Sequence, residues 1–143
     1  MRMNGLSELL WRERELLQAL VVRLEQERRA LDTAPARWPA RSTTAVDGLL
    51  EELRLVELGR AAAADGVARE LGAAEGVSLS GLVELASPPW DARLAEHRAA
   101  LVTLADEVTQ VAGENHRAVA QLHSLTLDVL TGLQARALAA AIR

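Results

Sequence analysis

Cysteine, lysine, tyrosine and phenylalanine are all missing from this chain of 143 residues, which has only three tryptophans and four prolines. Each absence closes a route. Without cysteine there is no disulfide framework, no thiolate zinc site and no thiol nucleophile. Without lysine there is no P-loop lysine and no Schiff-base chemistry. So few aromatic and β-branched residues do not build an all-β domain. All 16 basic residues are arginine, the formal charge is −4, and Arg28 and Arg29 are the only adjacent basic pair. That is not the clustered positive charge that neutralises nucleic-acid phosphates. No apolar run is long enough to span a membrane. The start, Met1-Arg2-Met3-Asn4-Gly5, lacks the apolar core of a signal peptide, so the chain reads as cytoplasmic.

What remains is helical material. With 26 leucines, 27 alanines and the basic residues all arginine, the composition is that of an all-α chain of one-domain size. Punctuation divides it. A first segment, about residues 5–32, is interrupted by Pro35 and Pro39, each a helix boundary. A second runs over about 41–72, with Gly72 placed as a C-terminal cap. A short helix over 80–86 is expected with Ser80 as its cap. A third long segment opens at Ser87-Pro88-Pro89-Trp90, with Ser87 as cap and Pro88 in the first helical position, and extends to about residue 140.

Apolar stripes at spacings of three and four run through all three long segments. They are Leu6, Leu10, Leu17, Val21, Leu24 and Leu31, then Val46, Leu49, Leu53, Val56, Ala63 and Val67, then Leu94, Leu101, Leu104, Val108, Val111, Val119, Leu122, Leu125 and Val129. This predicts a single elongated antiparallel bundle of three long, coiled-coil-like helices with one short helix before the third. The first two helices would be ~40 Å long and the third up to ~75 Å. Part of the third must then overhang, bend at a glycine or be disordered. Glu8–Arg12 and Glu25–Arg29 are spaced as outer-face ion pairs. Asn115, on the apolar stripe between Val111 and Val119, reads as a polar residue that sets register in the seam. Trp38 and Trp90 sit at the two connections, where a large rigid side chain can close the end of a core. Trp11 is expected on the bundle near its N-terminal end.

Little here promises catalysis. His116 and His123 lie two turns apart, too far to share one metal ion, and His97 reads as a partly exposed helix residue. Glu51, Glu52, Glu57, Asp106 and Glu107 read as charged outer faces. No phosphate loop or nucleophile elbow occurs, so no cofactor, metal or enzymatic activity is expected. Charge is distributed unevenly. Residues 1–31 carry 11 charged side chains, but residues 118–143 carry only Asp128, Arg136 and Arg143 among nine Val, Leu or Ile and seven Ala. A helix apolar all round needs burial on several sides, against its own bundle, a homo-oligomer or a partner.

The run Leu9-Leu10-Trp11-Arg12-Glu13-Arg14-Glu15-Leu16-Leu17 and Leu24-Glu25-Gln26-Glu27 resembles the opening of the FlgN family of flagellar export chaperones, in its actinobacterial form. Arg37-Trp38, Glu57-Leu58-Gly59-Arg60-Ala61, Val67-Ala68-Arg69-Glu70-Leu71-Gly72, Leu82-Val83-Glu84-Leu85-Ala86, Pro88-Pro89-Trp90, Glu96-His97-Arg98 and Glu114-Asn115-His116-Arg117 follow in matching order, to about residue 125. The resemblance implies a cytoplasmic all-helical chaperone of the type III export system, without enzymatic activity. It would bind hook-associated (hook–filament junction) proteins and deliver them to the export apparatus. Clients of such chaperones are gripped through C-terminal amphipathic segments. Leu122, Leu125, Val129, Leu130 and Leu133 are the expected client anchors, on an apolar extension spanning residues 118–143. A helical assembly protein, forming a homomeric coiled coil through that same helix, is the alternative.

Overall fold

A computed structural model describes residues 2–33, 40–123 and 136, with the side chains of 2–33, 45–121 and 136. Four helices, and no strands, are present among them: α1 (Arg2–Thr33), α2 (Ala40–Glu70), α3 (Leu79–Leu85) and α4 (Trp90–His123). The boundaries fall within about three residues of those expected, except that α4 is followed only to His123. Its expected continuation to residue 140 lies outside the described residues, Arg136 excepted.

The central element is α1. Met3, Leu6, Leu10, Glu13, Leu17, Leu20, Leu24, Glu27 and Leu31 are all buried, stepping alternately three and four residues as a heptad repeat does. Both α2 and α4 pack against α1, and α3 packs mainly against α4. On α2, Val46, Leu53 and Val67 are buried at multiples of seven residues. On α4, Leu94, Leu101, Val108 and Asn115 form one such series, and Ala105, Ala112 and Val119 another. Each buried leucine contributes about 1.5–3 kcal/mol relative to exposure.

Contacts along the helices give their directions. Arg2 meets Glu70 at the start of α1 and the end of α2, and Glu13 meets Arg60 further in, so these two helices are antiparallel. His97, near the start of α4, meets Ser7, whereas Asn115 reaches Leu24. The helix α4 therefore runs parallel to α1. Successive long helices reverse, as expected of an antiparallel bundle, so the first and third share a direction, and they pack extensively against each other.

Local chemistry sets the ends. The C-terminus of α2 closes with the Ala73 N–H on the Ala68 carbonyl (2.8 Å) and the Gly72 N–H on the Arg69 carbonyl (3.1 Å). This paired arrangement requires a left-handed residue, which Gly72 supplies at φ 78°. The following loop is tied back to α2, as Asp65 accepts from the Gly76 N–H and Arg69 pairs with Glu75. Ser78, not Ser80, caps α3 by accepting the Gly81 N–H at 3.0 Å. Pro88 and Pro89 form a turn rather than the first helical positions, and α4 begins at Trp90 with its N–H on the Ser87 carbonyl.

Candidate functional site

Of the expected client anchors, Leu125, Val129, Leu130 and Leu133 lie outside the described residues. Leu122 falls in the last turn of α4, and its side chain also lies outside them. Trp38 is outside as well. The described part of the molecule has its own concave site, between the N-terminal portions of α1 and α4.

This cleft has a volume of about 500 Å³ and is lined from α1 by Ser7, Trp11 and Arg14 and from α4 by Trp90, Arg93 and His97, with Asn4, Glu8 and Glu96 completing it. The two helices run in parallel here, which brings residues some ninety positions apart in sequence to one place. His97 is buried, not partly exposed as expected. Its Nε2 lies 3.1 Å from Ser7 Oγ, and its Nδ1 lies 3.2 Å from an Arg14 guanidinium nitrogen. Arginine can only donate, so Nδ1 accepts, and the ring proton on Nε2 is donated to Ser7. Burial, reinforced by the Arg14 charge, lowers the His97 pKa and keeps the ring neutral. Trp11 meets the His97 ring edge-on at 5.0 Å, and the Arg14 guanidinium lies 4.0 Å over the Trp11 ring. Trp90 is part-buried against the core, and Arg93 lies 5.1 Å over its ring.

A serine beside a histidine invites comparison with nucleophilic catalysis, but the chemistry runs the other way. Activating a serine requires an Nε2 lone pair and an acidic group on Nδ1 to stabilise the imidazolium. Here Nε2 carries the proton and Nδ1 faces a cation, so Ser7 is an acceptor held in place, not a nucleophile. The arrangement orients Arg14.

A second polar cluster lies between α1 and α2. Glu13 has no exposed surface, and Arg60 donates through Nε to both of its carboxylate oxygens. Burial raises the Glu13 pKa, and the attraction of Arg60 offsets this only in part. Glu57, expected on a charged outer face, is instead part-buried. Burial, then repulsion from Glu13, pushes its pKa up to about 7. Its Oε1 is buried without a hydrogen-bond partner among the described residues. The expected Glu8–Arg12 pair is replaced by contacts of Arg12 with Glu15 and Glu52.

Asn115 is buried, and its Nδ2 donates to the Leu24 carbonyl at 2.9 Å, as suits a residue fixing the register of α4 on α1. No group of three or more potential metal ligands occurs among the described residues, and none of their helices is long and apolar enough to cross a membrane.

In comparison with known proteins, the family model described as FlgN protein matches residues 1–140. No curated protein and no solved structure matches the chain.

Proposed function

Because this chain belongs to the FlgN family of flagellar export chaperones, we propose that it binds unassembled hook–filament junction proteins in the cytoplasm and delivers them to the type III export gate. The observation that carries this reading is the family match, which spans nearly the whole chain. The helical architecture fits it: long helices at heptad spacing make a coiled-coil-like bundle whose surface can accept a further amphipathic helix. On this reading residues 1–143 are one chaperone domain. Residues 118–143, with three charged side chains, are its client-binding extension. Leu122, Leu125, Val129, Leu130 and Leu133 are the anchors that a client's C-terminal helix covers. The work is binding and release, with no chemical step and no cofactor.

Co-expression with each hook–filament junction protein, followed by purification through a tag on this chain, tests the proposal. A junction protein that co-purifies and stays unassembled is the expected result. Recovery of this chain without any of them contradicts it.

A further inference from the structure

In the cleft between α1 and α4, one arginine, Arg14, makes no close ion pair among the described residues. Arg2, Arg12, Arg28, Arg54, Arg60 and Arg69 each reach a carboxylate. Arg14 does not: its partners are the neutral His97 ring and the Trp11 face, although Glu8 and Glu96 line the same cleft. The Arg14 side chain is part-buried. A cation withdrawn from water keeps a strong demand for an anion. Stacking on Trp11 and the hydrogen bond to His97 hold the guanidinium in one place, so little side-chain entropy is lost when its remaining N–H groups meet a ligand.

The surroundings narrow the ligand further. Trp11 is half exposed, and Trp90 presents a second indole with Arg93 stacked on it. Exposed tryptophan and arginine together are the residues that anchor protein interfaces. The acidic side chains Glu8 and Glu96 are exposed on the two helices, whereas Arg14 lies deeper. A uniformly acidic ligand would be repelled there. A segment with one central carboxylate, apolar neighbours and flanking basic residues matches the pattern at every point.

We propose that this cleft docks an extended segment of a partner protein, which places a single carboxylate on Arg14, packs apolar side chains on Trp11 and Trp90, and turns basic residues toward Glu8 and Glu96. Counted along α4, His97 lies about 37 Å from Leu122 at 1.5 Å per residue. The inference does not rest on the client reading and survives its failure.

The test is a titration of the ¹⁵N-labelled full chain, followed through its three indole N–H signals. The probe is the acetylated, amidated peptide Lys-Leu-Glu-Leu-Lys, and the control is the same peptide with Gln for Glu. Saturable shifts of the Trp11 and Trp90 signals are expected. The Gln peptide, and the Arg14→Gln variant with the Glu peptide, should each bind at least about tenfold more weakly, as loss of one charge-assisted pair requires. Because Arg14→Gln also removes a contact to buried His97, Arg14→Glu with a Lys-centred peptide is the companion measurement, and the reversed pair should restore binding. Four results would each overturn the proposal. They are no saturable shift up to about 10 mM peptide, well above the millimolar range of weak binding; equal binding of the Gln peptide; the same shifts from sodium acetate alone; or shifts that follow protein concentration as the mass doubles in light scattering, which would make the occupant a second copy of this chain.

Discussion

Arg60 donates one N–H to both carboxylate oxygens of Glu13, at 2.7 and 3.0 Å, inside the contact between α1 and α2. Each residue occupies a position that its own helix gives mostly to apolar side chains. Glu13 falls between Leu10 and Leu17 in the buried series of α1, and Arg60 falls seven residues from both Leu53 and Val67. A pair so enclosed gains Coulomb attraction but loses hydration on both sides. Arg60→Met, which strands the Glu13 charge, should therefore destabilise the protein by about 3–5 kcal/mol, whereas Glu13→Leu combined with Arg60→Leu should be close to neutral or stabilising. Urea unfolding of the three proteins distinguishes these outcomes. A double variant as unstable as the single one would show that the pair supports the fold by more than mutual neutralisation.

Glu57 makes stability depend on pH. Its folded pKa, about 7, lies above the ordinary carboxylate range. The native state therefore holds a proton that the unfolded chain has released. That contribution is fully present below the unfolded value and is lost as pH rises through about 7. Stability should fall between about pH 4.5 and 7.5, and Glu57→Gln should remove about 1–2 kcal/mol of that slope and stabilise the protein at pH 8. Melting temperatures from pH 5 to 8 check this, and parallel curves for wild type and variant would refute it.

Asn115 carries a cost that its one hydrogen bond does not offset. Nδ2 is satisfied by Leu24, but Oδ1 is buried without a partner among the described residues. Asn115→Val should raise stability by about 1–2 kcal/mol, because it removes the orphaned acceptor. The same change should relax register, seen as mixed association states in light scattering. A variant that is less stable and stays uniform would assign Asn115 a purely structural hydrogen bond.

Gly72 is the residue that the end of α2 cannot replace cheaply. At φ 78°, any side chain meets its own backbone, whatever space surrounds it. Gly72→Ala should cost about 1 kcal/mol in thermal unfolding. An unchanged melting temperature would mean that this helix end frays without consequence.

The helices and their ends were legible because prolines, glycines and three-four apolar spacing act within a few residues. Gly72 was identified as a cap from its place alone. Ser78 and Ser80 both precede an apolar run, and only the Gly81 N–H decides between them in favour of Ser78. The α2 stripe does not show that Arg60 joins the seam through an ion pair with Glu13. Glu13 stands three residues after Leu10 and four before Leu17, so its place on the α1 stripe is legible, whereas its meeting with Arg60 is not. The cleft was illegible for a stronger reason. Ser7, Trp11 and Arg14 meet His97 because α4 lies against α1 at one particular register, and that register follows from packing across the whole chain rather than from any one segment.

The proposed chaperone role is tested most directly by calorimetric titration of a hook–filament junction protein's C-terminal peptide into the full chain and into its Leu125→Ala, Val129→Ala double variant. Circular dichroism confirms in parallel that both stay folded. The account predicts saturable binding to the wild-type chain and at least about tenfold weaker binding to the variant, the loss of two buried apolar contacts, with both proteins equally helical. No binding to the wild-type chain, or equal affinity in the two proteins, would contradict it.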